Sequence, residues 1–253
     1  MTVADMHREF KLLLDKGDSG DAPSFLDSEI DTFLNMAIAK FITQRMYGGN
    51  RKRTGFEEDA KRRDDLRNLI TNKRIIPLAD EFSEGDGSLP NGNFATLPDN
   101  YRHMLSEFII AQHPNFTGLT QSNNYLSENE IGDDRKIISI TALTYDRYNK
   151  IINDPFNKPD LNTVYRLGYR GSSEGEGGGS QQVELIHHPD VTLLEYNIRY
   201  IRAAQSVSLS GGQDSDLAKH THREIVRMAV LDALENVEQP RYQSSKIELN
   251  EIE

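Results

Sequence analysis

Ile137–Gly168, IISITALTYDRYNKIINDPFNKPDLNTVYRLG, decides how the chain is read. Ile137–Ile140 is a short apolar, β-branched run, which predicts a strand. Thr144 can cap the free N–H groups of a helix, and Tyr145, Tyr148, Ile151 and Ile152 follow at spacings of three and four. Asp154-Pro155 ends that helix, because a residue before proline is pushed out of the helical region. Phe156 reads as a buried apolar anchor in the corner, Pro159 holds the chain extended, and Leu161, Val164, Tyr165 and Leu167 predict a returning strand. Strand, short helix, proline-framed corner and strand form one compact unit. Nothing in it looks catalytic, so it reads as scaffold.

Outward from this unit, two kinds of segment separate. On the N-terminal side, residues 3–15 predict a helix with Phe10, Leu13 and Leu14 on one side. Ser24 or Asp27 can cap a second helix, in which Leu26, Ile30, Phe33, Leu34, Ala37, Ile38 and Phe41 form a broad apolar face as far as Met46. A third, charged helix spans Phe56–Asn72 with few apolar positions, Leu66, Leu69 and Ile70, so it faces solvent or a neighbouring subunit. From Arg74 onward, Ile75–Leu78, Met104–Ile110, Ile137–Ile140, Leu161–Leu167, Val183–His187 and Leu193–Ile201 are strand candidates, with Met104–Ile110 also fitting a helix. Loops 83–96, 114–134 and 171–181 lie between them, the last a low-complexity GSSEGEGGGSQ run that reads as mobile. A final helix from Asp216 or Thr221 to Val237 is apolar nearly all round and must be buried, with the N-terminal helices as its cover. The expected fold is therefore α+β: a helical body formed by N- and C-terminal helices, bracketing an inserted strand-rich domain. The expected parts are residues 1–75, 76–214 and 215–253.

Other segments match a known pattern in the same order. The segments are Tyr145–Pro159 (YDRYNKIINDPFNKP), Tyr165–Leu167 (YRL), Leu97–His103 (LPDNYRH), Glu195–Arg202 (EYNIRYIR, without the proline that usually follows), His222–Val226 (HREIV) and Glu238–Gln243 (EQPRYQ). Together they resemble the head–tail adaptor, or ring, proteins of short-tailed phages, most closely those of crAss-like phages. The resemblance covers roughly residues 75–245. It implies a virion structural protein in the phage neck, made in the host bacterial cytoplasm. The implied assembly is a homo-oligomeric ring, dodecameric in the family, stacked between the portal protein and the tail or further neck rings. DNA would pass through its lumen without sequence-specific binding. No cofactor and no reaction are implied.

Composition agrees with a globular chain. Its 253 residues suffice for one large domain or two small ones, hydrophobic content is 36%, and there is no cysteine, which excludes disulfides, thiolate nucleophiles and Cys-bound zinc. No apolar run reaches 18 residues, and MTVADMHREF lacks a signal core, so neither a membrane partner nor secretion is expected. A net charge of −11 argues against general nucleic-acid binding. Residues 45–75 go the other way: ten Lys and Arg against five acids make +5, leaving −16 elsewhere. This basic run is either a solvated face or a docking surface for the portal or a neighbouring subunit, with Arg51, Lys52, Arg53, Lys61, Arg62 and Arg63 as candidates. In the polar tail, Arg241, Tyr242, Ile247, Leu249 and Ile252 suit an arm that orders on a partner.

Two other functions compete. A hydrolase could use the His-rich segment around His220 and His222, with Asp214 and Asp216 near; the ordinary reading, a polar helix N-terminus, is preferred because residues i and i+2 do not share a helix face. The Gly/Asp loops 17–21 and 211–216 lack the acidic spacing of a calcium loop. No phosphate-loop, nucleophile-elbow, HExxH or CxxC motif is present. A nucleic-acid module using residues 45–75 is opposed by the net charge.

Overall fold

The computed structural model describes residues 1–14, 25–47, 56, 59–79, 92–116, 134–154, 156–171 and 181–236. The loop at 17–21, Ser24, the basic run Arg51–Arg53, the low-complexity loop and the tail beyond 236 lie outside them. The fold is α+β and divides into two compact units, one of residues 1–70 with 203–253, the other of residues 71–202.

The first unit is helical. Helix α1 (Val3–Leu14) opens on a reciprocal cap: Thr2 N–H donates to Asp5 Oδ2 and Asp5 N–H to Thr2 Oγ1, each at 3.2 Å. Helix α2 (Asp27–Met46) starts at Leu26, whose N–H donates to Glu29 Oε2 at 2.8 Å. Asp27, expected as a cap, is instead the first helical residue, and its carboxylate takes Lys11 Nζ at 2.9 Å. Helix α3 (Ala60–Leu66) is capped by Asp59, which accepts from Lys61 N–H, and continues as a 3₁₀ turn, Arg67–Leu69. The expected helix to Asn72 is thus too long. With few apolar residues to bury, a helix there gains little from packing, and the chain enters the sheet at Ile70 instead. Helix α5 (His222–Asn236) packs on α1 and α2, burying Ile225, Ala229 and Leu234 in the same unit as Phe10, Leu34 and Phe41. An all-round apolar helix demands such cover.

The second unit is an eight-stranded mixed sheet with strand order β1-β8-β4-β5-β6-β7-β3-β2. Its strands are β1 (Ile70–Ile75), β2 (Leu78–Ala79), β3 (Gly92–Thr96), β4 (Tyr101–Gln112), β5 (Arg135–Leu143), β6 (Val164–Gly171), β7 (Gln181–Ile186) and β8 (Thr192–Arg202). The ambiguous Met104–Ile110 lies in β4, between β8 and β5. Strand β3 falls where a loop was expected; its Gly-Asn start hides a five-residue ladder with β7. Strands β5 and β6 are parallel and joined through helix α4 (Tyr145–Asn153), since parallel neighbours need a crossover. The other registered pairs are antiparallel. On one face Ile109, Ile138, Val183, Leu185, Tyr196, Ile198 and Tyr200 form the main core. On the other, α4 lays Tyr148 and Ile151 over Leu143, Leu167 and Ile186.

The corner after α4 departs from expectation. Phe156 is 93% exposed, because α4 fills its small core with Tyr148 and Ile151 before the chain reaches the corner. Gly168, at the β6 bulge, has φ +30. A Cβ there would lie 2.6 Å from Cζ and 2.7 Å from Cε2 of Tyr145. Gly168→Ala is expected to lower stability by about 1–2 kcal/mol, chiefly through backbone strain, since the exposed Tyr145 ring can swing outward. An unchanged denaturant midpoint would contradict a left-handed residue at this position.

Candidate assembly surfaces

The basic residues of the helical unit do not share one surface. Arg45 is buried, its Nε 2.8 Å from Asp65 Oδ2 and its Nη2 2.6 Å from Glu224 Oε1, with the guanidinium 4.5 Å from the Phe41 ring centroid. Burial works against its charge, but Glu224 and Asp65 outweigh that and raise its pKa. Arg62 is also buried, 4.0 Å from Asp59. Lys61, Arg63 and Arg67 are exposed, and Arg67 pairs with Asp64 at 2.8 Å. Counting charges by sequence window therefore mixes an internal ionic cluster with a surface. The missed signal was periodicity: Arg45 lies four residues beyond Phe41 on the apolar stripe of α2, and Arg62 four before Leu66.

The His220–His222 pair does not converge. His220 Nε2 lies 2.8 Å from Asp65 Oδ1 and 3.7 Å from Asp64 Oδ2, joining the Arg45 cluster. His222 is buried, with its ring nitrogens 3.1 Å from the carbonyl oxygens of Met1 and Leu217. The nearby acids hold backbone: Asp214 accepts Val3 N–H at 2.6 Å and Asp216 accepts Gln205 N–H at 3.2 Å. The 211–216 loop is part of a turn in which Ser208 and Gln213 pair and Gly212 has φ +61. Among the described residues no group of three His, Asp or Glu side chains is placed to hold a metal.

The sheet unit offers two contrasting surfaces. Its outer face is covered by α4 over β6 and β7, whereas over β1, β8 and β4 it carries an open cleft of about 460 Å³. Asn72, Lys73, Arg74, Ser106, Phe108 and Arg199 line that cleft. Alternation sets this up: Tyr196, Ile198 and Tyr200 point to the core, leaving Glu195, Asn197 and Arg199 outward. Arg74 Nε reaches Glu195 at 3.2 Å and Arg199 Nε donates to Asn72 at 3.0 Å. The second surface is the Phe156 corner. Asp154 organises it, its Oδ1 accepting Phe156 N–H at 3.0 Å and its Oδ2 accepting Asn157 Nδ2 at 2.6 Å. These bonds hold the Asp154 carboxyl below its ordinary pKa. Burial, with Glu184 nearby, pushes the Tyr148 phenol up to about 12, so the α4 contact remains neutral.

Among the described residues neither unit presents a group of His, Asp or Glu side chains placed to hold a metal. The description "phage tail ring protein 3/4" matches residues 1–241. The chain belongs to this family of crAss-like phage ring proteins. It is accordingly a structural protein of the virion and a ring component of the phage tail. Membership implies homo-oligomeric assembly together with other tail or neck proteins. No curated protein matches the chain. Among the described residues no helix of this ring protein is long and apolar enough to cross a membrane.

Proposed function

We propose that the chain forms a ring, dodecameric in its assembled state, that joins the portal to the tail in the phage neck. The match across residues 1–241 carries this reading. DNA passes through the lumen without sequence-specific contact, and a net charge of −11 suits that passage because an acidic wall does not retain phosphates. The ring catalyses no reaction and holds no cofactor. Synthesis takes place in the host bacterial cytoplasm.

Docking is divided between two regions. The exposed Lys61 and Arg63, with Arg51, Lys52 and Arg53, meet an acidic surface of the portal or the adjoining subunit. Arg62 supports them from inside α3. The tail contributes Arg241, Tyr242, Ile247, Leu249 and Ile252 as an arm that orders on the portal, its apolar residues spaced among Glu248, Glu251 and Glu253. Residues beyond 241 lie outside the family match. Deleting residues 241–253 is expected to leave the melting temperature of the subunit unchanged and to abolish co-sedimentation with assembled portals. Undiminished co-sedimentation would move the docking surface to the basic residues of the helical unit.

A further inference from the structure

A closed ring of more than two identical subunits needs a head-to-tail contact, in which two different patches of one chain are complementary. The sheet unit carries such a pair. We infer that the Phe156 corner of one copy seats in the open sheet cleft of the next, anchoring the contact that closes the ring. The inference rests on the ring reading and adds to it the surfaces that meet.

Phe156 projects into solvent, yet its backbone is not loose. Asp154 accepts from Phe156 N–H at 3.0 Å, from Asn157 Nδ2 at 2.6 Å and, through its carbonyl, from Lys158 N–H at 3.1 Å. Tyr165 Oη donates to the Asn157 carbonyl at 2.9 Å, tying the corner to β6. An aromatic ring held out on a braced turn loses little entropy when a partner covers it, which is the property of an interface anchor. The receiving cleft is concave and partly apolar, with Phe108 left 37% exposed on its floor. The adjoining Ile137 of β5, across the ladder from Ile110, is equally exposed.

Charge favours the same pairing. The corner carries Asp154 and the exposed Asp160 against one cation, Lys158. The cleft carries Lys73, Arg74 and Arg199; Glu195 offsets Arg74, while Lys73 has no ion-pair partner among the described residues. Knob and cleft both belong to the sheet unit, so their relative placement is set by one body and can be repeated around a ring.

The full chain supplies the test. Phe156→Ala is expected to leave its denaturant midpoint unchanged and to weaken ring formation about thirtyfold or more, read by sedimentation velocity across a concentration series. Because the chain has no cysteine, Ser106→Cys in the cleft and Lys158→Cys on the corner, both at exposed positions that leave Phe108 and Phe156 in place, can be put on separate chains and mixed. Oxidation is expected to give a disulfide-linked dimer of the two kinds of chain, whereas neither kind alone cross-links. Rings that persist in Phe156→Ala, or wild-type-like rings of the cysteine variants that do not cross-link, would overturn this contact while leaving the ring intact. A wild-type chain that stays monomeric at every concentration would overturn the ring reading itself, and the contact with it.

Discussion

Arg45→Met is expected to destabilise the helical unit by about 3–5 kcal/mol. The methionine keeps the contact with Phe41 but leaves Asp65, 1% exposed at its side chain, and Glu224 without their cation. A buried carboxylate stripped of its partner retains its desolvation cost and loses the interaction that offset it. His220 Nε2, 2.8 Å from the other Asp65 oxygen, offsets part of this as a hydrogen-bond donor. Chemical denaturation of the full chain measures the loss, and a change below about 1 kcal/mol would show that water or another cation reaches Asp65. Adding Asp65→Asn to Arg45→Met should recover part of the stability, since the orphaned charge is then removed.

Tyr196→Ala is expected to cost about 3–5 kcal/mol in the sheet unit through lost burial and the cavity left behind. Tyr196 is fully buried at the centre of the main core, and its hydroxyl donates to Glu107 Oε2 at 2.6 Å. Glu107 also accepts from Arg166 Nε at 2.9 Å, so the phenol completes a partly buried polar network linking β8, β4 and β6. Tyr196→Phe isolates that term: it preserves the volume, removes one donor to a charged acceptor, and should cost about 1–3 kcal/mol. A denaturant titration of both variants decides the matter. If Tyr196→Phe is as damaging as Tyr196→Ala, the network rather than packing dominates. If it is neutral, Glu107 is satisfied without the tyrosine.

Phe156 shows where reading from sequence stops. The residue type and its proline frame point to burial, and the same residues occur in exposed corners. Which outcome holds depends on whether α4 leaves room beneath the corner, and Tyr148 and Ile151 have already filled that space. The basic run behaved similarly: the sequence shows a dense positive window, whereas burial divides it into an internal cluster and an outer face. Helix α3 ended early because the backbone at Ile70 found a sheet to join, a partner more than 100 residues away in sequence.

What the sequence determined by itself is the α+β class, the helices α1, α2 and α5 with their buried faces, most of the strands, and the family pattern that residues 1–241 confirm. These properties are periodic or local, so they survive without knowledge of distant contacts. Only the tertiary structure decided the strand order, the parallel β5–β6 pairing, the partners of His220 and His222 and the exposure of Phe156. Each depends on which distant surface reaches a residue first, and competition for a limited area of cover is a property of the packed chain, not of any window along it.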